Sequence, residues 1–142
     1  MATTRKASTH WEGSLLEGAG TVTLESSGLG TYDVSWPARI EDPDGKKTSP
    51  EELIAAAHSA CYCMAFSGGL AKAGTPPTAL DTTADVEFTP GTGITGIHLT
   101  VVGTVEGISE EDFVKAAETA KENCPVSKAL TGTTITVDAS LA

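Results

Sequence analysis

Short stretches of alternating apolar and polar residues fill residues 1–40, and a long segment without any polar face follows them. Thr21-Val-Thr-Leu-Glu25 and Tyr32-Asp-Val-Ser-Trp36 alternate with the period of half-buried strands, and Gly28-Leu-Gly30 supplies the turn between them. His10-Trp-Glu-Gly-Ser-Leu-Leu16 predicts an earlier strand of the same meander. Glu41-Asp-Pro-Asp-Gly-Lys-Lys47, rich in charge and turn residues, predicts a loop.

The apolar segment has clear helix signals. Ser49 suits the N-cap, Pro50 the first helical position, and Glu52 completes a Ser-x-x-Glu capping box. From Leu53 to about Ala73 nearly every residue is apolar or small, which predicts a helix buried on most sides. Gly68-Gly69 is expected to weaken or kink its last third, and Gly74 with Pro76-Pro77 to end it. Thr82–Phe88 and Ile94–Val105 predict a hairpin across Pro90-Gly-Thr-Gly93. A second helix opens at Ser109, with Glu110, Glu111 and Asp112 in its first turn and Phe113, Ala116, Ala117 and Ala120 on one apolar face. Cys124-Pro125 interrupts it, a short helix resumes at Pro125, and Thr133–Ala139 predicts a last strand. The expected fold is α+β, with antiparallel sheets and a long buried helix, as one domain over residues 1–142.

Composition narrows the function. A net charge of −10 without a basic patch argues against nucleic acid; Arg5-Lys6 and Lys46-Lys47 are only isolated pairs. Aromatic residues make up 5%, so the core relies on close packing of small side chains, and burial against a second subunit is a natural supplement. Met1–Lys6 leads into polar sequence with no apolar h-region, and no window resembles a membrane span, so neither a signal peptide nor a membrane partner is expected. An odd number of cysteines, three, argues against a disulfide framework and for a cytoplasmic setting with free thiols.

Two of those cysteines carry the candidate chemistry. Cys61 lies in the apolar helix, where a cysteine ordinarily acts as a small hydrophobe. His58 precedes it by one turn and, as an imidazolium, would favour a thiolate. Arg39, one of only two arginines and expected at a strand end, offers a second cation. Cys124 falls at the N-cap of the short helix, where unpaired amides favour a thiolate. Cys63 lies about 200° around the helix from Cys61 and is expected to pack. The spacing of Cys61, His58 and Cys124 matches no zinc pattern. From these residues alone, a redox pair and two ordinary core residues both remain open.

Pro50-Glu51-Glu52-Leu53, Ala56-Ala57-His58-Ser59-Ala60-Cys61 and Asn123-Cys124-Pro125-Val126-Ser127 resemble the osmotically inducible protein C / organic hydroperoxide resistance family. His10-Trp-Glu-Gly13 and Asp81–Val86 extend the resemblance along the chain. It implies a thiol peroxidase acting on organic hydroperoxides, as an intertwined dimer without a bound cofactor. Cys61 would be the peroxidatic cysteine and Cys124 the resolving one. Arg39 and Glu51 would form a bidentate pair that activates the thiol. Arg39 matches the arginine of the osmotically inducible branch, since no arginine lies between residues 6 and 38. The implied reductant is a lipoyl-bearing protein or a small dithiol.

On one continuous helix, ten residues separate Glu51 from Cys61 by roughly 15 Å along the axis, so the expectation is a site completed across a dimer interface. A hydrophobic-ligand-binding module and a structural stress protein are the alternatives, and neither would need a reactive thiol pair.

Overall fold

The computed structural model describes residues 1–41 and 45–142; Asp42-Pro43-Asp44, the centre of the expected charged loop, lies outside the described residues. Two compact units divide the chain, residues 1–53 and residues 54–142.

In the first unit, β1 (Ser8–Glu12), β2 (Ala19–Thr23) and β3 (Thr31–Val34) form an antiparallel meander in the order β1-β2-β3. The expected third strand ends at Val34, because Ser35 caps a one-turn helix, α1 (Trp36–Ile40), by accepting from the Ala38 amide at 3.3 Å. Pro37 in that first turn removes a donor the turn could not use. Arg39 therefore stands on a helix rather than at a strand end. Little of this meander is buried; Val22 is its one buried hydrophobic side chain.

α2 (Pro50–Lys72) begins where the sequence predicts, with Ser49 Oγ accepting from the Glu52 amide at 3.1 Å. The return half of the expected capping box is redirected: Glu52 accepts instead from Thr48 Oγ1 at 2.9 Å. Gly68 and Gly69 stay helical without a break. The helix ends at Gly74, whose φ of 93° is open to glycine. Its amide reaches the Ala71 carbonyl and the Thr75 amide reaches that of Leu70, which is a Schellman closure. By length and composition α2 also passes as a membrane span, with a mean hydropathy of 1.3, contrary to the expectation from the sequence. Its apolarity comes largely from alanine, and its bulky side chains serve a core instead.

That core lies in the second unit. β4 (Ala79–Thr89) and β5 (Gly93–Thr104) form the expected hairpin, with a register shift between Glu87 and Phe88. α3 (Glu110–Asn123) and the short α4 (Pro125–Ala129) lead to β6 (Thr134–Leu141). β6 pairs parallel to β5, which corrects the expectation of a wholly antiparallel sheet. Parallel neighbours need a long crossover, and α3 with α4 provides it. Tyr62, Phe66 and Leu70 of α2, Leu99 and Val101 of β5, and Phe113, Ala117, Ala120 and Cys124 are buried together.

The burial of α2 is one-sided within the chain. His58, Tyr62, Phe66 and Leu70, four residues apart, form its buried stripe, while Met64 is 73% exposed and Ala60, Gly68 and Gly69 are open. The helix expected to be buried on most sides thus keeps an uncovered apolar face within the chain.

Gly103 on β5 marks the tightest packing. A Cβ there would lie 2.5 Å from Phe113 Cζ and 3.2 Å from Leu80 Cδ2, and Phe113 is itself fully buried. Gly103→Ala should destabilise the protein by about 1–3 kcal/mol, read as a lower urea midpoint, and Phe113→Leu in the same background should recover part of the loss.

Candidate functional site

Two clusters of chemistry-bearing residues emerge, one in each unit. In the first, Arg39 Nε donates to Glu51 Oε1 at 2.9 Å, and its terminal nitrogen approaches the same oxygen at 2.8 Å. The expected fork-to-fork pair is therefore a convergence of two donors on one oxygen. Glu51 Oε2 is buried with no partner among the described residues, although Glu51 itself is only 6% exposed. A carboxylate so enclosed depends on its cation, since the penalty of desolvation is offset only while the pair holds. Arg39 also lies over the Trp36 ring at 5.7 Å. Beside it opens a cavity of about 380 Å³ lined chiefly by apolar groups of Trp11, Leu15, Val22, Val34 and Leu53.

The second cluster brings Cys61 and Cys124 together. Cys124 ends the buried stripe Phe113, Ala117, Ala120 of α3, and its amide bonds the Ala120 carbonyl at 2.8 Å. It is simultaneously the N-cap of α4, as the sequence predicts, and is wholly buried. Cys61, half-buried on α2, packs against this core, close enough to Cys124 for the two thiols to influence each other. Both thiols are free.

Burial pushes the Cys61 thiol above its ordinary pKa; the Val126 amide pulls it down, and the neighbouring Cys124 thiol pushes it up again. Pro125 has no N–H, so Val126 is the first residue of α4 with an amide to offer.

His58 corrects an expectation. It is fully buried, and burial holds its pKa below the ordinary value of 6.5, so it is neutral rather than an imidazolium beside Cys61. Its Nε2 lies 2.7 Å from Ser127 Oγ, and its Nδ1 has no partner among the described residues. Ser127, not singled out from the sequence as a site residue, is thereby tied to α2; its place three residues after Cys124 was the available signal. Cys63 faces away, as expected, 3.1 Å from Thr82 Oγ1. Among the described residues no group of three or more His, Cys, Asp or Glu side chains is arranged to hold a metal.

The chain thus joins a mixed α+β fold to two free cysteines, one on α2 and one at the junction of α3 and α4. The OsmC-like protein family matches it over residues 43–140. Peroxiredoxin OsmC of Escherichia coli is 43% identical over 133 residues, covering 92% of each chain. An organic hydroperoxide resistance protein-like sequence of Staphylococcus aureus is 33% identical over 103 residues, 70% of this chain and 71% of that one. A crystal structure of an organic hydroperoxide resistance protein OsmC from Legionella pneumophila shares the fold, with a TM-score of 0.74 at 24% identity over 99% and 98% of the two chains. The chain belongs to the OsmC-like family.

Two outcomes follow for stability. Because His58 resists protonation only when folded, the unfolded chain gains a proton as pH falls below about 6.5 and folding weakens across that window. The contribution is complete above that pH; His58→Gln should flatten the decline in urea midpoint between pH 7.5 and 5.5. Separately, Arg39→Ala should cost about 2 kcal/mol by stranding the Glu51 carboxylate, and adding Glu51→Gln should recover much of that loss in thermal melts.

Proposed function

We propose that this chain is a cysteine-based peroxidase that reduces organic hydroperoxides, working as a single OsmC-like domain in oxidative stress defence. The observation that carries this reading is the meeting of Cys61 and Cys124, 63 residues apart in sequence, as free thiols at one place in the core. The names of the Escherichia coli and Staphylococcus aureus relatives support it.

The cycle balances with these groups alone. Cys61 thiolate attacks the distal oxygen of ROOH; the O–O bond breaks, Cys61 becomes a sulfenic acid, and the alkoxide leaves as ROH after protonation. Cys124 thiolate then attacks the sulfenic sulfur, hydroxide leaves as water, and a Cys61–Cys124 disulfide remains. An external dithiol, free or as a protein-bound lipoyl group, returns both thiols by exchange. No bound cofactor or metal enters any step.

A thiol pushed up by burial needs a cation before it can attack at neutral pH. Arg39, held by Glu51, is the group proposed to supply it and to polarise the peroxide. Roughly 15 Å of helix rise between Glu51 and Cys61 favours delivery of that pair by a second copy of the chain. The open alanine and glycine face of α2 supports the same intertwined homodimer, and sedimentation at micromolar concentration should give twice the monomer mass. The apolar cavity beside Arg39 supports substrates with an organic group over hydrogen peroxide. We place the protein in the cytoplasm, where reductants keep such thiols cycling.

One equivalent of cumene hydroperoxide should remove two free thiols from the native protein and none from Cys61→Ser. Cys124→Ser should consume the first equivalent and then over-oxidise. Arg39→Ala should slow peroxide consumption by roughly 100-fold, as expected for loss of one electrostatic stabiliser. A native protein that keeps all its thiols would instead point to a hydrophobic-ligand-binding module.

A further inference from the structure

We propose that the buried His58–Ser127 hydrogen bond is a positioning device: it holds the 124–127 segment against α2 and so governs how fast Cys124 closes on an oxidised Cys61. The proposal rests on the peroxidase reading for its place in a reaction, but its geometry is independent of that reading.

α4 has five residues, far too few to hold itself together, since isolated helices of fewer than about 12 residues are marginal. Its N-cap, Cys124, makes no side-chain cap hydrogen bond, so the usual local lock is missing. Yet this segment carries both neighbours that act on the Cys61 thiol, the Cys124 thiol and the Val126 amide. Something else must fix its register. Ser127 is the next residue, is buried, and meets His58 Nε2 at 2.7 Å. His58 lies one helical turn before Cys61 on α2, so the bond clamps α4 beside the thiol it must reach.

The chemistry of His58 separates this role from acid–base catalysis. Its Nδ1 has no partner among the described residues, so no relay leads a proton away from the ring. An orphaned lone pair costs less than an orphaned N–H, which favours the tautomer with Nε2–H donating to Ser127 Oγ. A neutral imidazole used in this way holds two helices in register and transfers nothing.

The test compares wild type with Ser127→Ala, His58→Ala, the double variant and His58→Gln, which retains a side-chain N–H. Each is oxidised with cumene hydroperoxide and, separately, with diamide, which accepts the two electrons and two protons released as the thiols become a disulfide. Expected is disulfide closure slowed by roughly tenfold or more in Ser127→Ala and His58→Ala, with both oxidants, while peroxide consumption falls no more than about threefold. Sulfinic acid should accumulate at Cys61, the double variant should be no slower than the slower single one, and His58→Gln should restore most of the rate. Wild-type closure rates in Ser127→Ala, or losses that multiply in the double variant, overturn the proposal. Ser127→Ala removes a single hydroxyl, so it reads the bond even if His58→Ala does not fold. Should the wild type consume no hydroperoxide, the peroxidase reading fails, and the diamide rates still decide the role of His58 and Ser127.

Discussion

Everything in the second unit is organised by the single stripe that α2 can bury. His58, Tyr62, Phe66 and Leu70 repeat every fourth residue, and three of them are large enough to set the thickness of the core. Tyr62 donates to the Ala117 carbonyl at 2.9 Å, and Phe66 packs on Phe113 with ring centroids 5.1 Å apart. These contacts fix α3 on α2, and α3 carries Cys124 at the end of its own buried stripe. Cys61 adjoins Tyr62 at the edge of the α2 stripe, so it is neither sealed in the core nor fully open. The meeting of the thiols is a consequence of helix packing, not of any local motif.

The same packing creates an electrostatic demand. Burial that brings Cys61 to Cys124 also raises the Cys61 pKa, and one amide from Val126 is a modest counterweight. Under the proposed function, activation would therefore come from a full charge. Arg39 is such a charge, but Glu51 holds it through a carboxylate that is itself buried and half-satisfied. The proposed dimer reconciles these needs. It would cover the small-residue face of α2 and bring a guanidinium to a thiol that its own helix geometry keeps away from Glu51. Reactivity would then depend on assembly, and unassembled chains would hold an inert thiol pair.

Much of this was legible in the residues, for stated reasons. The capping signals at Ser49 and Ser109 and the breaking signals at Gly74 and Cys124-Pro125 act locally and fall where the pattern puts them. The three early strands exist as expected but are shifted, β1 ending at Glu12 rather than running to Leu16, β2 at Thr23 and β3 at Val34. α1 was hidden because Tyr32–Trp36 alternates like a strand; the Ser35-x-Pro37 start was the overlooked cue. The parallel pairing of β6 was not legible, since strand direction is decided by where α3 deposits the chain. His58 misled for a related reason: sequence shows that it shares a face with Cys61, but only packing shows that this face is dry. Arg39 stood out as one of only two arginines, and its pairing with Glu51 came from the family resemblance. Their convergence on one oxygen could not be read from the sequence, because it depends on the exact rotation of α1 against the start of α2.

The central claim is that Cys61 and Cys124 form one redox pair and that Cys63 stands outside it. Peptide mapping by mass spectrometry, after reaction with a single equivalent of an alkyl hydroperoxide, tests it directly. A cross-link between the peptides containing Cys61 and Cys124, lost on treatment with dihydrolipoamide and leaving Cys63 alkylatable throughout, is the result predicted. A cross-link through Cys63, or oxidation confined to isolated thiols with no Cys61–Cys124 bond, would contradict it.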